Sequence, residues 1–415
     1  MRDHSLPTSP GFWRSPLRGP RFTAVLGLVL LGGITVLFVT GLLSYAAYNP
    51  DLAAVNDKTP DKGLLGFYLF AWPTDPPWLY RLTQGVHVTL GITLIPVLLA
   101  KLWSVVPKLF ALPPARSLTH ALERLSLLLL VGGVLFEFVT GVLNVQLDYL
   151  FPGSFYPLHF YGAWVFFAAF LAHVALRLPE ALRQVRALRA PAGEAPPEEG
   201  ELVSPRPAAP TVSRRGAFGL VGGGSLLLLA TTAGRGFDGP LRETAVLAPH
   251  GGPEPGSGPG GFQINKTAAY AGICERDTGA DAWRLVLVGR RGTVRLSRSQ
   301  LLARPLHDAA LPIACVEGWS TSDQEWRGVR LRDLAALVGH DEPPDVLVES
   351  LQRHGAFRHA ALRANQVGDA RSLLALSVNG EDLTPDHGYP ARIIVPAAPG
   401  VLNTKWVARM TFGDL

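Results

Sequence analysis

Two cysteines, Cys274 and Cys315, are all that the 415 residues contain. That scarcity excludes a disulfide framework: two thiols allow one bridge at most, and none if Cys315 carries a metal. Charge is also sparse. Asp, Glu, Lys and Arg make up 17% of residues against 48% hydrophobic, and with a mean hydropathy of +0.21 the balance points toward a membrane. A net charge of +5 does not point to nucleic acid, because the basic residues fall in short segments between apolar runs, as in the positive-inside pattern. A cleavage motif is missing as well. No A-x-A pattern follows the first apolar run, so residues 1–21, with Arg2, Arg14, Arg18 and Arg21, read as a cytoplasmic tail before a retained helix.

What is present begins with four apolar segments at about 22–48, 82–106, 120–147 and 158–178. Each is long enough to cross a hydrocarbon core of about 30 Å, and only helices close their backbone hydrogen bonds there. Residues 22–189 therefore read as a four-helix membrane domain. Arginines and lysines put the 107–119 loop and the 177–215 region on the cytoplasmic side, leaving 49–81 and 148–157 outside. A proline-rich, polar stretch at 190–212 reads as a flexible cytoplasmic linker. Ser213-Arg214-Arg215-Gly216-Ala217-Phe218 then opens a moderately apolar segment, so 213–234 reads as a fifth helix that looks like a twin-arginine export signal kept as an anchor. Paired arginines also serve as simple topology anchors. A Gly/Pro-rich tether at 235–261 leads to a domain at 262–415 with short alternating strands, such as Trp283 to Val288, which predicts a β-rich α+β fold. The expected architecture is an all-α membrane helix bundle followed by that domain.

The bundle contains a repeat. Gly32-Gly33-Ile34-Thr35-Val36-Leu37-Phe38-Val39-Thr40-Gly41 returns 100 residues later as Gly132-Gly133-Val134-Leu135-Phe136-Glu137-Phe138-Val139-Thr140-Gly141. Small residues at this spacing predict close helix packing. Glu137 is the position that becomes ionisable, and a carboxylate inside a membrane helix reads as a proton relay, a quinone contact or an interior pair. Four histidines, His87, His120, His159 and His173, lie in or at the ends of these helices. His159 and His173 are 14 residues apart, about 21 Å along one helix face. Topology pairs His87 with His159 and His120 with His173, as bis-histidine ligands of one or two b-type haems. The pattern resembles four-helix bacterial cytochromes b.

In the C-terminal domain an apolar run meets a Gly-Trp turn at Ile313-Ala314-Cys315-Val316-Glu317-Gly318-Trp319-Ser320. A thiolate at a strand-to-loop junction suits a soft metal, and a buried free cysteine is the alternative. The stretch continues through Trp326-Arg327-Gly328-Val329 to a helix-like Leu331-Arg332-Asp333-Leu334. Further motifs are Phe262 to Thr267, Asn379-Gly380, His387-Gly388-Tyr389-Pro390-Ala391-Arg392, Gly400 and Lys405-Trp406-Val407. Together these resemble the molybdopterin-binding domain of the sulfite oxidase family, and within it the periplasmic methionine-sulfoxide reductases.

The resemblance implies molybdenum on Cys315 and an approach of Asn265 to the pterin. A pyranopterin phosphate calls for planar donors and cations, which Arg392 and Lys405 supply, with His387 as a hydrogen-bond partner. Glu317 matches the acidic position of the sulfoxide reductases, where sulfite oxidases carry arginines, whereas Ser320 to Glu325 does not follow the reductases. The expected protein is a membrane-bound molybdenum enzyme exchanging electrons with quinone or quinol through haem and reducing an S-oxide or N-oxide, with Cys315 and Glu317 in the reaction. One alternative is a sulfite-type oxidase that passes electrons to haem. The other is a membrane cytochrome carrying a cofactor-free binding module.

Overall fold

The computed structural model describes residues 6–56, 70–110, 117–145, 155–187, 204, 206–237, 240–248, 258–279, 281–353 and 355–415. Most of the expected linker at 190–212, the middle of the tether and parts of the 49–81 and 148–157 loops lie outside the described residues. The chain divides into two compact units, one of 1–39, 89–144 and 158–230, the other of 40–88, 145–157 and 231–415.

Six helices cover the first half: α1 (Pro20–Ala47), α2 (Leu79–Thr93), α3 (Ile95–Leu109), α4 (Leu118–Asn144), α5 (Tyr156–Ala187) and α6 (Arg214–Ala230). Four helical segments are long and apolar enough to cross a membrane, and up to five if the bent pair α2–α3 counts as one span. The segment expected as one helix at 82–106 is two, meeting at 42°. Pro96, which lacks an N–H, sits in the first turn of α3, where the ladder would otherwise continue. In the first unit, Phe22, Leu26, Leu30 and Ile34 form a four-residue stripe on α1, buried with Leu94, Val97 and Leu98, Val134, Phe166 and Phe170. Most other apolar side chains of these spans stay uncovered, with 6–28% of each span's most apolar stretch buried.

The repeat's second glycine makes the helix contact in each copy. A Cβ on Gly33 would collide with Leu94, and one on Gly133 would lie 3.2 Å from Phe166 Cβ. Gly32 and Gly132 face open space. Ser213 caps α6 by accepting from the Gly216 N–H at 3.0 Å, which places Arg214 and Arg215 in its first turn.

From residue 231 on, the described residues of the second unit form two sheets and six short helices, α7 (Pro240–Thr244), α8 (Ala268–Ala271), α9 (Glu275–Thr278), α10 (Arg298–Leu302), α11 (Leu331–Leu337) and α12 (Ala364–Gly368). One sheet runs β2 (Gly292–Leu296), β1 (Leu285–Gly289), β10 (Val407–Phe412), β5 (Val346–Ser350), β6 (His359–Leu362). Its β1–β10 pair is parallel and the others are antiparallel. The other runs β3 (His307–Leu311), β4 (Gln324–Arg330), β7 (Leu373–Val378), with β8 (Glu381–Asp382) and β9 (Arg392–Ile394) both paired to β7.

Period-2 alternation sends Leu285 and Leu287 into the core with Trp283. On β4 the alternation is reset by a bulge at Arg327/Gly328, where a Cβ on Gly328 would run into Leu374. Both Trp326 before the bulge and Val329 after it are buried as a result.

Segments far upstream complete this unit. Asn49 donates to Ala361 O at 3.1 Å and to Gln366 Oε1 at 2.8 Å. Asn56 donates to Tyr48 O at 3.2 Å, and its Oδ1 accepts from the Ala361 N–H at 2.6 Å. Trp72 donates to Ala397 O at 2.7 Å, Arg371 pairs with Asp75 at 2.8 Å, and Arg363 pairs with Asp51. The loop after α1 is thus built into the C-terminal domain.

Candidate molybdenum-cofactor site

Cys315 lies in the β3–β4 connection, at a tight turn. Its carbonyl accepts from the Gly318 N–H at 3.1 Å and its own N–H donates to Trp319 O at 2.8 Å. Gly318 closes the turn at φ +88, a conformation that favours glycine. The thiol is 3% exposed. Burial pushes its pKa well above the usual range, and the Glu317 charge beside it pushes the same way. Glu317 is buried too, with Oε2 accepting from the Trp319 indole N–H at 2.9 Å. A bound metal cation would reverse this balance and hold the sulfur as thiolate.

The downstream residues converge on the strand before the turn. Ala314 bridges both Ser320 and Pro399, and the Gly400 N–H donates to Ala314 O at 2.7 Å. A Cβ on Gly400 would stand 3.0 Å from that oxygen. The chain then passes through Asn403, whose carbonyl accepts from Arg392 Nη2 at 3.3 Å, to Lys405. Arg392 is 1% exposed and also donates to His387 O at 3.1 Å, with its guanidinium 5.1 Å over Trp326. Lys405 Nζ donates to Lys266 O and Asp386 O, both at 2.8 Å. Burial lowers the Arg392 pKa to about 9; burial first and the Arg392 charge next push Lys405 well down.

His387 stacks on Phe262 at 3.8 Å, and Nε2 donates to Gly260 O at 2.8 Å. Asn265 is half-buried in the loop before α8, next to the Lys266 carbonyl that Lys405 holds. Cys274 is a free, half-buried residue at the N-terminus of α9. Cys315, Glu317, Asn265, His387, Arg392 and Lys405 thus belong to one unit, and Gly400, bound to Ala314 O, leads the chain on to Asn403, whose carbonyl Arg392 holds. Both cations brace backbone carbonyls, where the sequence reading has them reach a phosphate.

The site fits a buried polar cofactor. Arg392 Nε, Ser320 Oγ and Thr404 Oγ1 are buried and make no hydrogen bond, a costly state unless a ligand completes them. Sequence reasoning missed Arg242, whose Nη2 donates to Ser320 O at 2.9 Å. Arg242 lines a cleft with Gly258, Gly261, Phe262, Thr321, Ser322 and Gln324. Its signal was an isolated arginine in a segment read as a free tether; where described, that segment is held along the returning strand, with Ser320 N–H donating to Arg235 O at 3.4 Å.

Residues 271–414 match the family described as oxidoreductase molybdopterin binding domain. The C-terminal domain is thus similar to molybdopterin-binding oxidoreductase domains. It is 31% identical over 158 residues to mitochondrial sulfite oxidase of Rattus norvegicus, covering 32% of this chain and 29% of that protein. It is 32% identical over 117 residues to the uncharacterized oxidoreductase YuiH of Bacillus subtilis, covering 28% and 58%. It is 50% identical over 82 residues to nitrate reductase [NADPH] of Mycosarcoma maydis, covering 17% and 8%. The chain therefore spans under a third of the sulfite oxidase and somewhat over half of YuiH.

Sequence reasoning also missed the contact of α2 with this turn. Gln84 donates through Nε2 to Val316 O, and Ser44 fixes the amide by donating to Gln84 Oε1 at 2.7 Å. Gly318 presses on the next turn of α2: a Cβ there would stand 2.7 Å from Val88 Cβ. Tyr80, Thr83 and Gln84 are buried at this end of α2, a polar face that suits a protein partner and not lipid.

Each of the helix histidines has its own local setting. His87 Nδ1 lies 3.1 Å from Thr40 Oγ1. His159 Nδ1 lies 3.0 Å from Thr140 Oγ1 and 3.1 Å from Glu137 Oε2. His173 is half-buried on α5. His120 falls in the first turn of α4, and its side chain lies outside what is described.

One prediction concerns His387. Burial lowers its pKa from 6.5 to about 4. The unfolded chain then binds a proton that the native site refuses, so stability falls as pH drops from 6.5 toward 4, by about 3 kcal/mol at most. Melting temperature measured across that window should fall less steeply in His387→Gln than in the parent protein; parallel profiles would show that this ring contributes nothing to the acid sensitivity.

Proposed function

We propose that the protein is a membrane-bound oxidoreductase that carries electrons between the quinone pool and a molybdenum site through b haem, and reduces an S-oxide or N-oxide. The observation that carries this reading is the seating of α2 on the Cys315 turn. His87 lies between Gln84, which binds Val316 O, and Val88, which meets Gly318. A haem on His87 would therefore stand on the same helix that touches the proposed metal-bearing turn.

The molybdenum cofactor supplies two-electron oxygen-atom transfer when bound. The chain's own groups would do the rest: Cys315 as protein ligand, Arg392, Lys405, His387 and Asn265 around the pterin, and Glu317 beside the thiol. A buried carboxylate at that position disfavours an anion such as sulfite and favours a neutral oxide. Similarity to sulfite oxidase supports the opposite direction, with haem as acceptor. The family match counts against a cofactor-free binding module.

The export reading fits as well. A domain that takes up a bulky cofactor before crossing would need a signal such as Ser213-Arg214-Arg215, and 262–415 with the 49–81 loop would face outward.

The test is to reduce the haems of the purified protein anaerobically and add methionine sulfoxide while following their visible band. Rapid reoxidation, absent in Cys315→Ser, is the expected result. Silence toward the sulfoxide together with reduction of oxidised haem by sulfite would replace the reductase with the oxidase. A preparation with no haem spectrum would remove the haem route altogether.

A further inference from the structure

The repeat does more than pack helices. Its Thr-Gly pair meets a histidine of the following helix in both copies: Thr40 with His87 on α2, Thr140 with His159 on α5. The glycine next to each threonine leaves room for the ring. A Cβ on Gly41 would stand 3.2 Å from His87 Cε1, and one on Gly141 would stand 3.3 Å from His159 Cε1.

The second copy adds a carboxyl group. Glu137 is one helical turn before Thr140, so both face His159 from α4. The Thr140 hydroxyl donates to Phe136 O at 2.7 Å, leaving its oxygen as the acceptor for the ring. With that oxygen and Glu137 Oε2 both against Nδ1, a proton on Nδ1 would serve both and leave the Nε2 lone pair for a metal. Glu137 is 7% exposed, and its Oε1 makes no hydrogen bond. Gly162, one turn beyond His159 on α5, accommodates that oxygen; a Cβ there would collide with it. A buried, half-satisfied carboxylate in a membrane helix is expensive to keep. The corresponding position in the first copy is Leu37.

We propose that the repeat is a pair of haem-ligand supports, in which Thr40 positions His87, Thr140 positions His159, and Glu137 adds a carboxyl oxygen to the second support. The inference rests on the proposed haem reading. A carboxylate behind an imidazole makes it a stronger donor and stabilises oxidised iron over reduced iron. Glu137 would thus lower the potential of the haem that His159 ligates, a contribution that Leu37, at the matching position of the first copy, does not make.

Potentiometric titration of the haem visible band in the full-length membrane protein tests this. Glu137→Gln is expected to favour reduction of the His159 haem at least tenfold, an upward shift of about 59 mV for one electron, with haem content retained. Thr140→Val, which leaves the carboxylate in place, is expected to displace the same component, and it serves if Glu137→Gln does not accumulate. Unchanged potentials in Glu137→Gln and Thr140→Val, with the haem spectrum intact, would overturn the inference and leave the haem reading standing. Absence of haem from the parent protein would overturn the haem reading itself.

Discussion

Replacing Cys315 by serine is expected to lower oxygen-atom-transfer turnover by more than the roughly 10–100-fold that loss of an outer partner of a metal ligand costs, while the domain stays folded. Serine has nearly the same volume, so the 3% exposed position keeps its packing, and the buried hydroxyl costs about 1–3 kcal/mol where it finds no partner. What it cannot supply is a soft, readily ionised donor. Turnover with an artificial electron donor, set beside a melting curve, separates the two effects. A variant that melts normally and turns over within tenfold of the parent would return Cys315 to the role of a small buried apolar side chain.

The parts of this molecule that were legible in the sequence are those with local causes. Long apolar runs fix where helices form, and alternation around Trp283 to Val288 identifies β1 within two residues. Leu331 to Leu334 does open α11. Cys315, His387, Arg392 and Lys405 drew attention because they stand in motifs of unusual composition.

Long-range partner choice was not legible. Asn49 and Trp72 sit in a loop that reads as a plain connection, yet their partners are Ala361 and Ala397 carbonyls more than 300 residues away. Gln84 meets Val316 O, and a backbone carbonyl leaves no mark on composition. The repeat read as packing because Gly and Thr suit packing; that the threonine faces a histidine depends on the register between two helices. Arg392 and Lys405 show the converse, since their type suggested an anion and the fold first uses them to hold the carbonyls of His387, Asn403, Lys266 and Asp386.

Gly318→Ala is expected to slow haem reoxidation by methionine sulfoxide at least about tenfold, because a displacement near 1 Å at a reacting site can cost about 100-fold. Two separate penalties act on the turn. Alanine at φ +88 carries about 1–3 kcal/mol of backbone strain. Its Cβ would also stand 2.7 Å from Val88 Cβ, an overpacking worth about 1–3 kcal/mol unless the neighbour moves. The relief available is to push the Cys315 turn away from α2, which loosens the Gln84 contact to Val316 O. Gly292→Ala isolates the backbone part, since Gly292 has φ +101 in the β1–β2 hairpin and a Cβ there meets nothing within 4 Å. Stopped-flow reoxidation of the haem band should be slow in Gly318→Ala and unchanged in Gly292→Ala, at equal haem and molybdenum content. Equal rates in Gly318→Ala and the parent would mean that electrons do not depend on the seating of this turn against α2, and would remove the observation on which the proposed route from His87 to Cys315 rests.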